Sequence, residues 1–389
     1  MRHPALIVGC GHSKFGRLEE HSLEDLIQAV SREAIEDAGL APSEIDAVFL
    51  GHFNSGMVAD GFCSSMALAI HPDLRFKPAV RLENACASGS AAIFGALDAI
   101  AAGRIKTALV VGAEKMTHLS TAEVTDALAG ASYQKEEAGV SFPEIFARFA
   151  RAYRAEYTDP SRAMAEIAVK NHHNALDNPL AQMQRELSLD FCLEPSNKNP
   201  MIAEPLRVTD CSLISDGAAA IVLAHEDRAG DFERAVAFRA ATQVNDLLPL
   251  SAKPQSRMEG PARAFRAAYE SAGLALSDIS FAEVHDCFTI AELMIVEAMG
   301  LAAPGEGPRV VGDGITAQDG RLPINRSGGL KAKGHPVGAT GVSMHVLAAR
   351  QLTGRAGAMQ LPRSDVGMCF NMGGGAVASY VSILEPVHA

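Results

Sequence analysis

One cysteine of this chain stands where its thiol could act as a nucleophile. Cys86 lies in the stretch 83–90, which reads ENACASGS and leads into the apolar run 91–102, where Asp98 is the only charge. That run predicts a buried helix, so free backbone N–H groups and the positive end of the helix dipole would favour a thiolate. Free cysteines are more often buried packing residues, and the rest of the sequence must decide between the two interpretations.

The composition sets outer limits on function. The 389 residues are 48% apolar and 21% charged, and their formal net charge of −12 argues against a nucleic-acid-binding surface, which needs a basic footprint. No apolar stretch reaches the ~18 residues of a membrane span, and the N-terminus lacks the pattern of a secretory signal. We therefore expect a cytoplasmic protein that binds no nucleic acid and does not span a membrane.

The cysteine pattern argues against a metal site. The chain has seven cysteines, an odd number, and their spacing lacks the close pairs of a structural zinc site. We expect no bound metal and reduced thiols. Four cysteines are predicted to be packing residues, namely Cys10, Cys63, Cys192 and Cys211.

An internal repeat organises the chain. The segment 38–45 (AGLAPSEI) matches 272–279 (AGLALSDI), and each follows a helical stretch and leads into a strand. Weaker echoes pair residues 86–89 with 335–338, and 217–220 with 375–378. A βα module that occurs twice predicts two halves related by a pseudo-twofold axis. Strands that alternate with helices predict a parallel sheet covered on both faces.

The region 116–205 differs from the repeat. It is helical, polar and irregular, which indicates an insertion between strands of the first half. Its predicted helix 142–157 carries arginines at three-residue spacing, and the adjacent pair His172-His173 in a second helix is predicted to be solvated. The arginines are Arg148, Arg151 and Arg154.

Three loops carry the remaining chemistry. The pseudo-symmetry places Cys86 and His335 at equivalent helix starts that face each other, which predicts a thiolate–imidazolium pair of nucleophile and base. Cys287, in the loop 285–288 (HDCF), would add a second acid/base thiol. The glycine-rich loop 371–375 (NMGGG) allows close backbone approach to a ligand.

Two oxyanion sites complete the prediction. His285 and His335 could donate hydrogen bonds to a carbonyl oxygen that becomes an enolate. The second site would be formed by two backbone amides, that of Cys86 and that of Gly373 in the glycine loop. Two oxyanion sites, two thiols and a histidine are what a Claisen condensation of thioesters requires: one acyl group on the cysteine and a second thioester deprotonated at its α-carbon.

These motifs together resemble the thiolase superfamily over essentially the whole chain. The matching segments are 84–89, 110–116, 216–220, 325–329 and 334–341. Better-known thiolases have Asn-Glu-Ala-Phe in place of His285–Phe288, and Cys-x-Gly in place of 371–373. Both departures are similar to the sterol-carrier-protein-type thiolases. That resemblance implies that Cys287 takes the acid/base role, with Cys369 as a rival, and that His285 replaces the asparagine that holds an oxyanion-binding water.

The resemblance also implies an α/β fold. Two pseudo-twofold-related halves would form a five-layered α-β-α-β-α arrangement with a helical loop insertion. The first half would comprise 1–115 and 206–230, the insertion on the coenzyme A side 116–205, and the second half 231–389. The arginines of the insertion could meet coenzyme A phosphates, although a solvated arginine face is at least as consistent with their spacing.

The implied activity is that of an acyl-CoA C-acyltransferase of the acetyl-CoA acetyltransferase type, which cleaves 3-oxoacyl-CoA with CoA or condenses two acyl-CoAs. Such enzymes belong to lipid metabolism, including fatty acid β-oxidation, and the resemblance implies no permanently bound cofactor and a homodimer or dimer of dimers. One alternative is a C-acyltransferase or retro-aldolase that depends on a small partner with a zinc ribbon and an OB-fold. Another is a non-catalytic acyl-CoA- or lipid-binding protein. The sequence leaves open the acyl group and the physiological direction.

Overall fold

The computed structural model describes residues 3–387, which build a nine-stranded mixed sheet and a separate two-stranded ribbon. The order of the large sheet is β3-β2-β4-β7-β1-β8-β11-β10-β9. The strands are β1 (Ala5–His12), β2 (Ala47–Gly51), β3 (Ala79–Leu82), β4 (Thr107–Glu114), β5 (Met201–Ala203), β6 (Leu206–Arg207), β7 (Gly217–His225), β8 (Val236–Asn245), β9 (Phe281–Val284), β10 (Gly367–Gly373) and β11 (Ala378–Pro386).

Helices cover both faces of the large sheet. None of the helices in the described part of the chain has the length and apolar character needed to cross a membrane. The helices are α1 (Leu23–Asp37), α2 (Ser88–Ala101), α3 (Thr121–Ala129), α4 (Gln134–Glu137), α5 (Phe142–Glu156), α6 (Ser161–Ala175), α7 (Leu189–Leu193), α8 (Glu259–Ala272), α9 (Thr289–Ala298), α10 (Gly307–Gly312) and α11 (Thr340–Leu352).

The two halves of the sheet have the same plan, as the repeat predicts. In each half the first strand, β1 or β8, pairs with the last, β7 or β11. The two halves meet where β1 and β8 pair over two positions, Leu6 with Ala237 and Ile7 with Val236. Helices α2 and α11 lie between the halves, α1 covers the outer face of the first half and α8 that of the second. The predicted five-layered α/β fold is confirmed.

The sheet is mixed rather than parallel, which differs from the prediction. Parallel pairing is confined to β2 with β3 and β4, and to β9 with β10. The last strand of each half runs antiparallel to its neighbours. In the second half this follows from a short turn between β10 and β11, because so short a connection can only join antiparallel strands.

The repeated segments form equivalent structures. Helix α1 begins after Ser22, whose hydroxyl accepts a hydrogen bond from the Asp25 amide in the predicted capping box. It ends before Gly39, which has φ 67°, and α8 ends in the same way at Gly273, with φ 63°. Each end leads through one turn of 3-10 helix into the next strand, β2 or β9. The repeat therefore fixes local turns as well as the overall plan.

The central helices α2 and α11 approach each other so closely that glycine is required at the contact. A Cβ on Gly89 would lie 2.7 Å from the carbonyl oxygen of Gly338, and one on Gly341 would lie 2.4 Å from the Ser90 amide nitrogen. This contact lies at the N-terminal ends of both helices. It therefore brings together the loops that precede them, which carry Cys86 and His335.

The predicted insertion consists mainly of helices α3 to α7 and the ribbon β5-β6. Helix α5 buries an apolar face against the core through Ile145, Phe146 and Phe149. Phe146 stacks on Phe288 of the HDCF loop, with ring centroids 4.5 Å apart. The insertion thus packs directly on the loops that carry the chemistry, while the boundaries assigned to the three domains stay a prediction.

We predict that Gly341→Ala destabilises the fold, although alanine is the better helix former. Its Cβ would collide with the backbone of α2, and overpacking of this kind costs about 1–3 kcal/mol. Thermal unfolding should show a lower midpoint by several degrees. Gly230→Ala is the control, because nothing lies within 4 Å of its added Cβ. Equal midpoints for the two variants would contradict the proposed tight contact.

Candidate active site

A strained turn places Cys86 at the start of α2. Ala85 has φ 50°, a left-handed conformation that a residue with a Cβ adopts at some cost. The turn is held from both sides, because the Ser88 hydroxyl donates to the Ala85 carbonyl oxygen at 2.6 Å and accepts from the Asn84 amide at 2.9 Å. The strained backbone conformation is therefore at Ala85, the residue that precedes Cys86 and orients its thiol.

Cys86 and two histidines from the second half form one buried cluster. The Cys86 Sγ atom and one nitrogen from each of His285 and His335 all lie within 4.8 Å of one another. The two rings are nearly perpendicular, with centroids 5.1 Å apart. All three residues line a cavity of about 640 Å³, and Cys287 lines it as well. The structure thus brings together the four residues predicted to be catalytic.

The hydrogen bonds of His335 identify which ring nitrogen can act as a base. Nδ1 lies 2.7 Å from the Thr340 hydroxyl oxygen, and that hydroxyl donates its own hydrogen to the Pro336 carbonyl oxygen at 3.0 Å. The hydroxyl must therefore accept from an Nδ1–H group. Nε2 is then unprotonated, and it is buried without a partner among the described residues. Such a nitrogen can take the thiol proton.

His285 has the opposite tautomer. The Asn371 amide donates its two hydrogens to the Cys86 carbonyl oxygen at 3.2 Å and to His285 Nδ1 at 3.0 Å, and its oxygen accepts from Ser90 at 2.8 Å. Because a carbonyl oxygen can only accept, the orientation of the amide is fixed. His285 Nδ1 is therefore the acceptor, and the hydrogen lies on Nε2. His285 can donate to an oxygen in the cavity, as predicted.

Comparison with known proteins decides the family. Residues 5–227 match the family described as "Thiolase, N-terminal domain", and residues 242–386 match "Thiolase C-terminal domain-like". The chain belongs to the thiolase family. Similarity to individual members extends over nearly the full length. Acetyl-CoA acetyltransferase of Methanothermobacter thermautotrophicus is 38% identical over 97% of this chain and 98% of its own length.

Further relatives include human sterol carrier protein 2, which is 32% identical over 96% of this chain and 70% of the human protein. Among solved structures, the "Ltp2-ChsH2(DUF35) aldolase" has a TM-score of 0.81 at 25% identity and covers 98% of both chains. Human mitochondrial 3-ketoacyl-CoA thiolase in complex with CoA has a TM-score of 0.76 at 17% identity over 100% of both chains, which supports the fold alone. This thiolase is an acyl-CoA acyltransferase.

Burial keeps the resting nucleophile and base uncharged. Desolvation, reinforced by the carboxylate of Glu114, raises the pKa of Cys86 to about 12. Desolvation, reinforced by the positive charge of Lys333, lowers the pKa of His335 to about 3. At neutral pH the thiolase therefore holds a thiol beside a neutral imidazole. These shifts favour the uncharged pair over the thiolate–imidazolium pair that the sequence predicts, and the pH dependence of Cys86 reactivity distinguishes the two.

The glycine-loop amide that faces the Cys86 sulfur belongs to Gly374. This N–H and the amide of Cys86 itself both act to lower the pKa of the thiol. The predicted donor, Gly373, is the last residue of β10, and a Cβ added there would lie 2.4 Å from the Asn84 carbonyl oxygen. Gly374 has φ 64°, so the chain turns there and directs its amide to the sulfur. The oxyanion role of Gly373 stays a prediction, and Gly374 offers a further amide beside the sulfur.

The two candidates for the second thiol lie in different surroundings. Cys287 lines the cavity, and burial raises the pKa of its thiol well above the usual value, with the nearby Cys86 adding to the effect. Cys369 lies inside β10, where its thiol donates to the Met344 carbonyl oxygen at 3.5 Å. It is absent from the cavity walls formed by the described residues. The placement favours Cys287.

One residue that the sequence analysis passed over, Asp286, joins the catalytic loops. Its carboxylate accepts from the Leu330 amide at 2.6 Å, the Lys331 amide at 3.2 Å and the Asn171 side chain at 2.8 Å. Burial, followed by the nearby charge of Glu292, raises its pKa to about 7. Its position between His285 and Cys287 could have identified it from the sequence. A carboxylate buried in that loop needs hydrogen-bond donors from neighbouring loops.

The structure does not bring the predicted arginines to the cavity. Arg148 and Arg151 pair with Glu144, and Arg154 pairs with Asp159. Exposed basic residues on the cavity wall come from other segments, namely Arg17, Arg185 and Lys198. The expectation for His172 was wrong in part, because it is buried at 1% exposure while His173 is solvated. The sequence of α6 does not show that the segment around Arg185 covers His172 and leaves His173 exposed.

We predict that alkylation of Cys86 by iodoacetamide is slow at neutral pH and accelerates with alkalinity. Because the thiol pKa is raised, the thiolate fraction should grow about tenfold per pH unit between about pH 6 and 9. Mass-spectrometric peptide mapping would assign the label to Cys86 rather than to another thiol. A rate that reaches a plateau near pH 7 would instead indicate a preformed thiolate–imidazolium pair.

Proposed function

We propose that this thiolase cleaves 3-oxoacyl-CoA with CoA, or condenses two acyl-CoAs in the reverse direction, through an acyl-Cys86 intermediate. The observation that supports it is the cluster of Cys86, His285 and His335 within 4.8 Å, with opposite tautomers on the two imidazoles. One imidazole is built to accept a proton and the other to donate a hydrogen bond. Both roles are needed in a single cycle of carbon–carbon bond cleavage.

In cleavage, the Cys86 sulfur attacks the 3-oxo carbon while its proton passes to Nε2 of His335. A concerted transfer suits the uncharged pair, because neither ion is stable in the buried site before the substrate arrives. The oxyanion that forms would accept hydrogen bonds from the amides of Cys86 and Gly374. Collapse of this intermediate breaks the bond between C2 and C3, which leaves the acyl group on Cys86 and releases the enolate of acetyl-CoA.

The enolate is then protonated at its carbon. Nε2–H of His285 would donate to the enolate oxygen, joined by His335, which carries the proton taken from Cys86. The Cys287 thiol supplies the proton to carbon, and its raised pKa keeps it protonated until that step. In the second half of the cycle the thiol of CoA gives its proton to the Cys287 thiolate, and its sulfur attacks acyl-Cys86 to form acyl-CoA. The released Cys86 sulfur takes its proton back from His335. Condensation is the same sequence reversed.

The walls of the cavity support an acyl chain longer than acetyl. Aromatic and aliphatic side chains predominate, among them Phe53, Phe142, Phe288 and Leu213. A volume of about 640 Å³ exceeds what an acetyl group and the thiol end of CoA require. We therefore propose a role in lipid metabolism that includes fatty acid β-oxidation, without a permanently bound metal or cofactor.

A second candidate function is supported by one comparison. The "Ltp2-ChsH2(DUF35) aldolase" is similar to this thiolase over 98% of the chain, which supports a partner-dependent C-acyltransferase or retro-aldolase. An exposed apolar patch formed by Met201, Ile202 and Val208 supports the same proposal. Ile202 and Val208 also line the cavity, so a partner bound to this patch would lie next to the active site. The presence of both thiols beside His335 favours acyl transfer by the chain itself.

We further propose a homodimer in the cytoplasm. The edge strand β3 exposes Val80 at 45%, and Phe76 just before it is 87% exposed. An edge with free backbone groups and apolar side chains is a natural place for a second copy of the chain to pair. Sedimentation of the purified chain tests the proposed dimer.

The central experiment is to incubate the purified chain with acetyl-CoA and map the adduct by mass spectrometry. We predict acetylation of Cys86 with release of CoA, and no adduct in Cys86→Ala. His335→Ala should acylate more slowly by a factor of about 10²–10⁴, the usual contribution of a general base. Acylation elsewhere would contradict the proposed nucleophile. A chain that acylates only when a partner is added would favour the second candidate function.

We predict that Cys287→Ala loses carbon–carbon bond chemistry but keeps acylation of Cys86. The loss in kcat for 3-oxoacyl-CoA cleavage should be about 10²–10⁴-fold, because no group remains to protonate the enolate. Cys369→Ala is the matched control and should retain turnover, since its thiol bonds only within the core. The reverse result would assign the second thiol to Cys369.

A further inference from the structure

One buried lysine of the cavity wall has no hydrogen-bond or ion-pair partner among residues 3–387. Lys331 is 3% exposed and lines the same cavity as Cys86 and Cys287. Within residues 3–387, no acceptor lies at hydrogen-bond distance from its ammonium group and no carboxylate lies within 4.0 Å of it. Its backbone is nevertheless fixed, because the Lys331 amide donates to Asp286 at 3.2 Å. The ammonium group therefore lacks a direct partner, and the carboxylates of Asp210 and Asp286 attract it only from a distance.

Other buried or nearly buried lysines of this thiolase are all paired. Lys115 donates to Asp216 at 2.8 Å, and Lys170 contacts Glu292 at 2.6 Å. Lys333, two residues from Lys331 and equally buried, donates to the Ser343 hydroxyl at 3.0 Å. A buried charge without a partner costs several kcal/mol. That cost is removed if the partner is a bound ligand.

Further polar atoms beside Lys331 are also unused. Nε2 of His172 is buried without a partner among the described residues, while Nδ1 donates to the Arg185 carbonyl oxygen at 3.0 Å. The Thr209 hydroxyl faces only the Cys192 thiol. Both residues line the cavity. The charge of Lys331 lowers the pKa of His172, which shows that they are neighbours. The part of the wall formed by Lys331, His172 and Thr209, here called the recess, thus carries polar atoms that the described residues leave without partners.

The recess differs from the positions suited to coenzyme A phosphates. Arg17, Arg185 and Lys198 on the cavity wall are exposed, as suits strongly hydrated phosphate groups. Lys331 is enclosed, and its backbone is tied to the residue beside Cys287. The Thr209 hydroxyl on the same wall can donate a second hydrogen bond, whereas the unprotonated Nε2 of His172 can only accept and adds no attraction for an anion. A compact anion on the acyl group fits this recess better than a phosphate.

We propose that this thiolase acts on CoA thioesters whose acyl group ends in a carboxylate, which Lys331 and Thr209 bind in the recess. The inference rests on the proposed thiolase reaction and specifies its substrate class, the CoA monoesters of 3-oxo dicarboxylic acids. The carboxylate would replace the missing partner of Lys331 and would orient the 3-oxo carbon toward Cys86. Binding at a remote charged group of this kind positions the reacting atoms.

The test compares substrates in pairs that differ only at the end of the chain. 3-Oxohexanoyl-CoA is paired with 3-oxoadipyl-CoA, and 3-oxodecanoyl-CoA with its ω-carboxylate. We expect kcat/KM to favour the carboxylate by about tenfold or more in at least one pair, and Lys331→Met to lower kcat/KM for that substrate by about 10–100-fold, the range of a charge-assisted hydrogen bond. Lys106→Met, an exposed lysine absent from the cavity wall, is the control and should keep the preference.

Several results would overturn the proposal. Equal kcat/KM within every pair would do so, as would a preference that survives in Lys331→Met. An equal rise in the KM of CoA for both members of a pair would assign Lys331 to a CoA phosphate instead. Because Lys331→Met removes an unpaired buried charge, its thermal midpoint should not fall; if it does, the less disruptive Lys331→Gln repeats the comparison.

Acetylation of Cys86 by acetyl-CoA separates this inference from the reaction on which it rests. Acetyl-CoA has no carboxylate, so Cys86 should be acetylated whether or not Lys331 binds one. If Cys86 is acetylated and no pair shows a preference, the substrate class is wrong and the thiolase reaction stands. If Cys86 is not acetylated by any thioester, the proposed reaction itself is wrong.

Discussion

The site depends on the contact between the N-terminal ends of α2 and α11. The two helices belong to different halves, and their glycines, Gly89 and Gly341, let one backbone lie directly on the other. The loops that precede these helices are consequently brought within a few ångströms of each other. Cys86 enters the cavity from one half, and His335 from the other. Neither half could assemble the nucleophile and its base alone.

Burial of the site at this contact determines the protonation states of the catalytic residues before reaction. Because burial raises the pKa of Cys86 and lowers that of His335, the resting site stores no ion pair, and charge arises only during reaction. Fixed dipoles then stabilise that charge, namely the amides near the sulfur and the Nε2–H group of His285. Asn371 is central to this arrangement, since one side chain orients the Cys86 backbone and sets the tautomer of His285.

The repeat in the sequence was enough to predict two related halves and the meeting of Cys86 with His335, because both follow from topology, whereas the five layers were implied by the resemblance to thiolases. The direction of the last strand in each half was not predicted, since apolar runs carry no sign of strand orientation. That the Gly374 amide faces the Cys86 sulfur was not predicted, because it depends on a single φ angle at Gly374. The arginines of α5 resembled a phosphate site, but their acidic partners are set by tertiary packing. Lys331 was unremarkable in sequence, because what distinguishes it is a missing neighbour.

The helix contact also limits how this molecule can change over time. Two copies of one module can diverge in their outer helices and in the insertion, where substitutions meet solvent or adaptable side chains. At the crossing of α2 and α11, however, any residue larger than glycine on one copy meets backbone of the other. Substitution of Gly89 or Gly341 therefore costs more stability than substitution in the outer helices, and changes in the cavity wall are the less costly route to a different substrate preference.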